Sequence, residues 1–263
     1  MDFGIAGRVA LVAASSKGLG RAVAEELAAE GTHLVMCARG EDDLADAVAS
    51  ADARGSGEVL GIPADLSDPA AVAMLVDRAQ DRFGCVDILV NNAGGPPAGP
   101  FEAHDAAAWR AAVRLNLESA LQLTRAVLPG MKDRGWGRIL NITSVAVKEP
   151  VDGLILSNSV RAAVTGFAKS LSNEVAEFGV TVNNILPGFT RTARLEELAR
   201  VRAEAGGVST EEVEAGWNAA IPARRIGEAR EFAAVVAFLA SERASYVTGV
   251  SVAVDGGRTR ALY

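Results

Sequence analysis

Short apolar runs alternate with longer amphipathic stretches along most of the chain. RVALVAA (8–14), HLVMCA (33–38), EVLGIPA (58–64), VDILVNN (86–92), GRILNIT (137–143), VTVNNILP (180–187) and GVSVAV (249–254) read as strands. Helical patterns fall between them, near 19–30, 41–54, 69–83, 105–130 and 158–178, with a helical insertion near 193–219. Near-continuous apolar strands that alternate with helices are what a parallel sheet covered on both faces requires. The pattern predicts one α/β domain over 1–263, a doubly wound, seven-stranded parallel sheet with helices on both faces. No internal repeat or low-complexity linker divides it.

The least regular part runs from about 191 to 225. RLEELARVRAEA is followed by GGVSTEEVEAGW, in which Ser209 or Thr210 is placed to cap a second helix, with Glu212 or Val213 following. Ligands of a doubly wound sheet sit beyond the carboxyl ends of the strands. A helical excursion that leaves the strand ending near Leu186 is expected to cover that crevice as a substrate lid. The alternative is a surface hairpin.

Composition narrows the picture. Of 263 residues, 49% are hydrophobic and 22% charged, enough to build a sizeable core. The formal net charge of −7 argues against a nucleic-acid partner. Cys37 and Cys85 lack metal-ligand spacing and read as free thiols in a reducing compartment; no metal site is expected. No apolar run reaches the ~18–20 residues of a membrane span. The start, MDFGIAGRVALV, lacks the pattern of a signal peptide, so a cytoplasmic protein is expected.

The first strand runs directly into AASSKGLGRAVAEEL. A glycine-containing turn between a strand and a helix aims backbone N–H groups and the helix dipole at a phosphate. Gly18 permits close approach of backbone, and Gly20 lets the helix pack on the strand. The second strand ends in CARG, where an NAD-binding site would carry an acid for the ribose 2′-hydroxyl. Ala38 is neutral and Arg39 basic, and Lys17 sits in the loop. Two cations near an adenosine ribose suit a 2′-phosphate and hence NADP(H); the alternative is a pair of solvated surface cations.

These motifs, in this order, resemble the short-chain dehydrogenase/reductase family, and are similar in pattern to bacterial 3-oxoacyl-carrier-protein reductases. The resemblance covers nearly the whole chain and implies a Rossmann-type fold. Ala13, Ala14, Ser15, Ser16, Lys17, Gly18, Leu19 and Gly20 stand where the family has Thr-Gly-x-x-x-Gly-x-Gly, so its leading Thr-Gly has become Ala-Ala. The family's pattern implies that Asp65 and Leu66 meet the adenine. It also implies that Asn91, Asn92, Ala93 and Gly94 flank the cofactor, and that Pro187, Gly188 and Thr192 hold its nicotinamide side. Asp255-Gly256-Gly257 matches the family's ending.

The family arranges Asn, Ser, Tyr and Lys around the nicotinamide. Asn116 and Ser144 match the first two. The tyrosine is expected thirteen residues after Ser144 and the lysine four later, at the positions of Ser157 and Arg161. A serine hydroxyl is far less acidic than a phenol, and arginine holds charge but does not relay a proton. The pair therefore reads as electrostatic support, with Arg161 placed to stabilise an oxyanion or to bind the cofactor's ribose and phosphate. Ser157 has a second reading as the N-cap of its helix, a place Asn158 and Ser159 suit equally. Lys148, at the rim of the crevice, is a candidate general acid, or else a partner of Glu149 or solvent. His33 and His104 lie away from strand carboxyl ends, and the tyrosines, Tyr246 and Tyr263, are far along the chain.

The expected function is an NADP(H)-dependent oxidoreductase that reduces a carbonyl or similarly activated group with a non-standard proton donor. A non-catalytic dinucleotide-binding protein and a dehalogenase- or lyase-like enzyme on the same fold are the alternatives. The resemblance also implies a homodimer or homotetramer paired through the helices near 105–130 and 158–178. The C-terminal RTRALY would then reach a neighbouring subunit's site.

Overall fold

The computed structural model describes residues 2–262 and so does not extend to Tyr263. Seven strands, β1 (Val9–Val12), β2 (His33–Ala38), β3 (Val59–Pro63), β4 (Ile88–Asn91), β5 (Gly137–Ile142), β6 (Val180–Pro187) and β7 (Ser251–Val254), form one sheet. Its order is β3-β2-β1-β4-β5-β6-β7 and every pairing is parallel. The chain runs outward from β1 to β3, then returns to β4 on the other side of β1. That reversal opens a crevice at the carboxyl ends of β1 and β4.

Strand alternation divides the core between two faces. Ala10 and Val12 of β1 pack with α1 (Gly18–Ala29), α2 (Glu41–Asp52) and α9 (Ala229–Ala240). Leu11 and Ala13 face α3 (Pro69–Phe83), α5 (Ser119–Asp133) and α6 (Ile155–Val175). Local signals set several boundaries. Asp68 caps α3 by accepting from the Ala70 N–H at 2.9 Å, Pro69 opens the helix, and Gly84 closes it in the left-handed conformation at φ 77°.

Three elements differ from the periodic reading. The helix expected over 105–130 is two helices, α4 (Ala106–Val113) and α5, joined by one π turn at Arg114–Glu118 that holds Asn116. Helix α6 begins at Ile155, before the expected 158, because Asn158 anchors the preceding loop: its backbone N–H donates to Leu154 O at 2.8 Å and its Nδ2 to Val151 O at 3.0 Å. Helix α9 was not expected at all; REFAAVVAFLA is apolar on nearly every side and carries no clear period. The insertion forms α7 (Ala193–Gly206) and α8 (Thr210–Ala220), and Ser209 is the cap, in a reciprocal capping box with Glu212.

A row of amides crosses the sheet at one level. Asn91, Asn141, Asn184 and Ser251 are direct partners on β4, β5, β6 and β7. Asn91 Nδ2 donates to Asn141 Oδ1 at 2.9 Å, Asn141 Nδ2 to Asn184 Oδ1 at 3.2 Å, and Asn184 Nδ2 to Ser251 Oγ at 3.2 Å. No helix among the described residues is long and apolar enough to cross a membrane.

Candidate active site

A cavity of about 670 Å³ opens at the carboxyl ends of the central strands, within the size range of small-molecule sites. One end is the turn after β1. Ala14 adopts φ +48°, the left-handed region that glycine occupies without strain. Its carbonyl is consequently turned inward, where Asn92 Nδ2 donates to it at 3.2 Å. A Cβ on Gly20 would lie 2.3 Å from that same oxygen, so Gly20 is a steric requirement of the turn. Ser16, Lys17, Gly18 and Leu19 line the cavity. Ser15 does not: it is fully buried, and its Oγ accepts from the Cys37 N–H at 3.1 Å, tying the turn to β2. Burial pushes the Cys37 thiol up to about 11.

Ala38 and Arg39, at the end of β2, also line the cavity. Lys17 is ion-paired with Asp43 of α2 at 2.8 Å, whereas Arg39 forms no ion pair among the described residues, its charge reaching Asp65 only at longer range. Of the next pair, Leu66 faces the cavity and is buried, while Asp65 is exposed and accepts from the Ser67 N–H and hydroxyl at 2.9 and 2.8 Å. Those hydrogen bonds hold its carboxyl below the usual range. The wall continues through Asn92, Ala93 and Gly94, then Pro187, Gly188 and Thr192. A Cβ on Gly94 would meet nothing within 4 Å, whereas one on Gly188 would lie 2.5 Å from Asp255 Cβ. The first glycine thus leaves space for a ligand; the second lets the Pro-Gly turn pack on the Asp-Gly-Gly ending.

Ser144, Ser157 and Arg161 line the same cavity, brought together by the end of β5 and the first turns of α6. The Arg161 guanidinium is half-buried. Its Nη1 donates to the carbonyls of Ile142 and Thr143 at 2.9 and 3.1 Å, its Nε to Ser157 Oγ at 3.2 Å, and its Nη2 to Ala93 O at 3.5 Å. Burial, with Arg194 nearby, pushes its pKa down to about 10, so it stays cationic at neutral pH. Ser157 Oγ accepts that bond and Ser144 Oγ accepts from the Ala146 N–H at 3.1 Å, which leaves both hydroxyl protons to be donated elsewhere. Behind this group lies a second cavity of about 20 Å³, lined by Asn91, Asn116, Thr143 and Arg161. Asn116 reaches this rear space and not the main cavity.

Two expectations for this region are corrected. Ser157 is not an N-cap, since α6 starts two residues before it and Leu154 holds the cap position. Lys148 is not among the residues lining the cavity, because a single helical turn at Val145–Val147 carries the chain away from the end of β5. Glu149 is not its partner either; that carboxylate accepts from the Arg260 N–H at 2.6 Å. No histidine, cysteine or tyrosine described in the structure lines the cavity, and Tyr246 is fully exposed. His33 is structural, its Nδ1 accepting from the Glu58 N–H at 3.0 Å. Conversely, the cavity includes Phe189, Arg194, Leu195, Leu198 and Arg258, none of which the sequence reading singled out. The signal for Arg194 was its position, two residues past Thr192.

Comparison with known proteins identifies the family and the fold. Residues 13–259 match the sequence family described as Enoyl-(acyl carrier protein) reductase. The chain is 37% identical over 251 residues to the 3-oxoacyl-(acyl-carrier-protein) reductase of Haemophilus influenzae, covering 95% of this chain and 98% of that one. Among solved structures it is similar to L-sorbose reductase from Gluconobacter frateurii complexed with NADPH and L-sorbose, at 33% identity and a TM-score of 0.94, covering 100% of each chain. It is also similar to YwfH, an NADPH-dependent reductase involved in bacilysin biosynthesis, at 29% identity and a TM-score of 0.93, covering 98% and 100%. Matched over nearly its whole length in sequence and in strand order, the chain belongs to the short-chain dehydrogenase/reductase family of oxidoreductases.

Proposed function

We propose that this protein is an NADP(H)-dependent reductase of a carbonyl or conjugated carbonyl group in which serine hydroxyls and a fixed arginine replace an acidic phenol. The observation that carries this reading is the hydrogen bond from Arg161 Nε to Ser157 Oγ, in a cavity that also holds Ser144 and the phosphate turn. The cavity fits a dinucleotide: Gly94 leaves its wall open, Gly18 takes the left-handed φ of 57° that the turn requires, and the neutral Ala38 beside Arg39 suits a 2′-phosphate. Ser16, Lys17, Gly18, Leu19, Arg39, Leu66, Asn92, Ala93, Gly94, Pro187, Gly188 and Thr192 would hold it. When bound, NADPH supplies a hydride to an electrophilic carbon.

The chain's own residues do the rest. Ser144 and Ser157 each have a hydroxyl proton free to donate to the substrate oxygen. Arg161, by donating to Ser157 Oγ, strengthens that hydroxyl as a donor and places a positive charge beside the oxygen as negative charge develops on it. Neither serine surrenders its proton readily, and Arg161 relays none. The proton comes from water in the open cavity. Activated ketones and conjugated enones, whose reduced forms are less basic than a simple alkoxide, fit such a site best. Helices α7 and α8 act as a lid over the substrate: Leu195 and Leu198 of α7 form its inner face, and Phe189 stacks on Trp217 at 4.7 Å to hold it.

Saturating NADPH is expected to raise Tm by about 5–10 °C, and NADH by much less; Arg39→Asp should reverse the preference. NADPH oxidation with an enone or activated ketone completes the test. Absence of both stabilisation and turnover would defeat the reading. Stabilisation without turnover across a broad panel would favour a non-catalytic dinucleotide-binding protein. We also infer a homodimer or homotetramer through α5 and α6, whose exposed faces carry Leu121 and Arg125, and Ala162, Ala163 and Gly166; light scattering decides it. The two free thiols accord with a reducing, cytoplasmic setting.

A further inference from the structure

The charge that lines the cavity runs against that of the chain. The protein carries a net charge of −7, yet the cavity wall presents Lys17, Arg39, Arg161, Arg194 and Arg258 against a single acid, Asp43. Asp43 is already held by Lys17 at 2.8 Å. Arg39 belongs to the end of β2. Arg161, Arg194 and Arg258 remain, on the half of the cavity built from α6, α7 and the segment after β7. None of them takes part in an ion pair among the described residues.

Arg194 stands where a cation is least favourable. It lies in the first turn of α7, next to the cap Thr192, at the positive end of the helix dipole. Helices α2 and α8 place acids and no cation in their first turns, whereas α7 carries Arg194 there together with Glu196. Its Nη2 donates to Pro96 O at 3.1 Å, which swings the guanidinium over Gly95 on the cavity wall. The acid one turn on, Glu197, gives its oxygens to Arg200 at 2.9 and 2.7 Å. Arg194 and Arg161 therefore face one cavity as like charges; burial first, and the Arg194 charge second, lower the pKa of Arg161. Leu154, Leu195 and Phe189 line the same space, with Arg194 at its solvent-exposed edge.

We propose that the substrate itself carries an anionic group, a carboxylate on the ketone or enone to be reduced, and that Arg194 is its principal partner with Arg258 as the second cation. An arginine fork matches a carboxylate with two parallel hydrogen bonds. An anion seated there removes the repulsion between Arg194 and Arg161 and lets Arg161 serve the reacting oxygen alone. This proposal rests on the reductase reading and names the substrate class of the same site.

The test compares keto acids and unsaturated keto acids with their methyl esters, in the wild-type protein and in Arg194→Met. The acids are expected to be preferred, and Arg194→Met to lower kcat/KM for them about 10- to 100-fold, mainly through KM. The esters should change little, NADPH affinity should be unchanged, and Arg194→Lys should restore part of the loss. A second arm needs no turnover: oxamate, a non-reducible carboxylate, should raise Tm of wild type with NADP⁺ present and not that of Arg194→Met. Esters reduced as well as acids, with no oxamate shift, would overturn the proposal. So would an Arg194→Met variant that loses NADPH affinity and harms acids and esters alike, which would assign the arginine to the cofactor's diphosphate. If no compound is reduced, the reductase reading fails, and the oxamate arm still decides the anion site.

Discussion

The two ends of the sheet treat charge in opposite ways. At the amino end of the strands, Asp87 accepts from the Val9 N–H at 3.1 Å and lies near Arg8 and Arg134, at 3.9 and 3.3 Å. The buried Arg138 is 3.7 Å from Glu242, and its guanidinium lies 4.3 Å from the Trp136 ring centroid. There each charge has an opposite neighbour. At the carboxyl end, Arg39, Arg161, Arg194 and Arg258 line a cavity with no carboxylate to spare. Charges at the amino end are neutralised on folding; Arg39, Arg161, Arg194 and Arg258 at the carboxyl end form no ion pair among the described residues.

Substitutions that move charge at one end should therefore cost stability, and at the other activity. The largest effect is expected from Asp87→Ala, which strands Arg8, Arg134 and the Val9 N–H together. It should destabilise the protein by about 3–5 kcal/mol in urea unfolding. Arg161→Met should stay within about 1 kcal/mol of wild type in the same assay while lowering kcat about 100-fold; a large stability loss would mean that the two ends do not differ in kind.

Restoring a phenol and a lysine sharpens the same contrast. Ser157→Tyr with Arg161→Lys should raise turnover of simple ketones about tenfold by supplying an acid, and no gain would undercut the assigned register. Ala14→Gly should relieve left-handed strain, partly offset by a freer unfolded chain, for a gain of about 0.5–1 kcal/mol or roughly 1–3 °C in Tm. The smallest expected effect is none. Among the described residues the cavity wall holds no histidine, cysteine, tyrosine or glutamate, its Asp43 is paired, and Arg161 loses its charge only as pH rises through about 10. The kcat should then be flat from about pH 6 to 9, and a titration inside that window, seen in the pH–rate profile, would reveal an acid or base that the cavity does not display.

Where punctuation was strong, the sequence was enough to place elements to the residue. β2, α3 and β6 fall where their patterns predict, bounded by Gly31-Thr32, by Asp68-Pro69 and Gly84, and by Gly179 and Pro187. The site's position followed from motifs at strand ends, a property of order along the chain. What escaped was set by packing or by local hydrogen bonds. Helix α9 is too uniformly apolar to show a period, and the π turn at Asn116 breaks a helix without any residue that announces it. Lys148 was misplaced because a helical turn at Val145–Val147, which its neighbours do not announce, follows the end of β5. Arg194 was passed over because a cation in RTARLEE reads as a surface residue until the fold brings it beside Arg161.

The row of amides across the sheet bears on how such a site keeps its dimensions. Ala93, Thr143 and Pro187, whose backbones frame the cavity, lie only two or three residues beyond Asn91, Asn141 and Asn184. A slip of one residue would point that strand's amide to the opposite face, breaking one link of the row in β4 and two in β5 or β6. The amides thus act as a gauge that fixes how far each strand projects before its chain turns into the cavity. Distances at the reacting centre are inherited from that gauge, so an Asn141→Leu protein that still folds should be recognised by its looser geometry before any loss of stability.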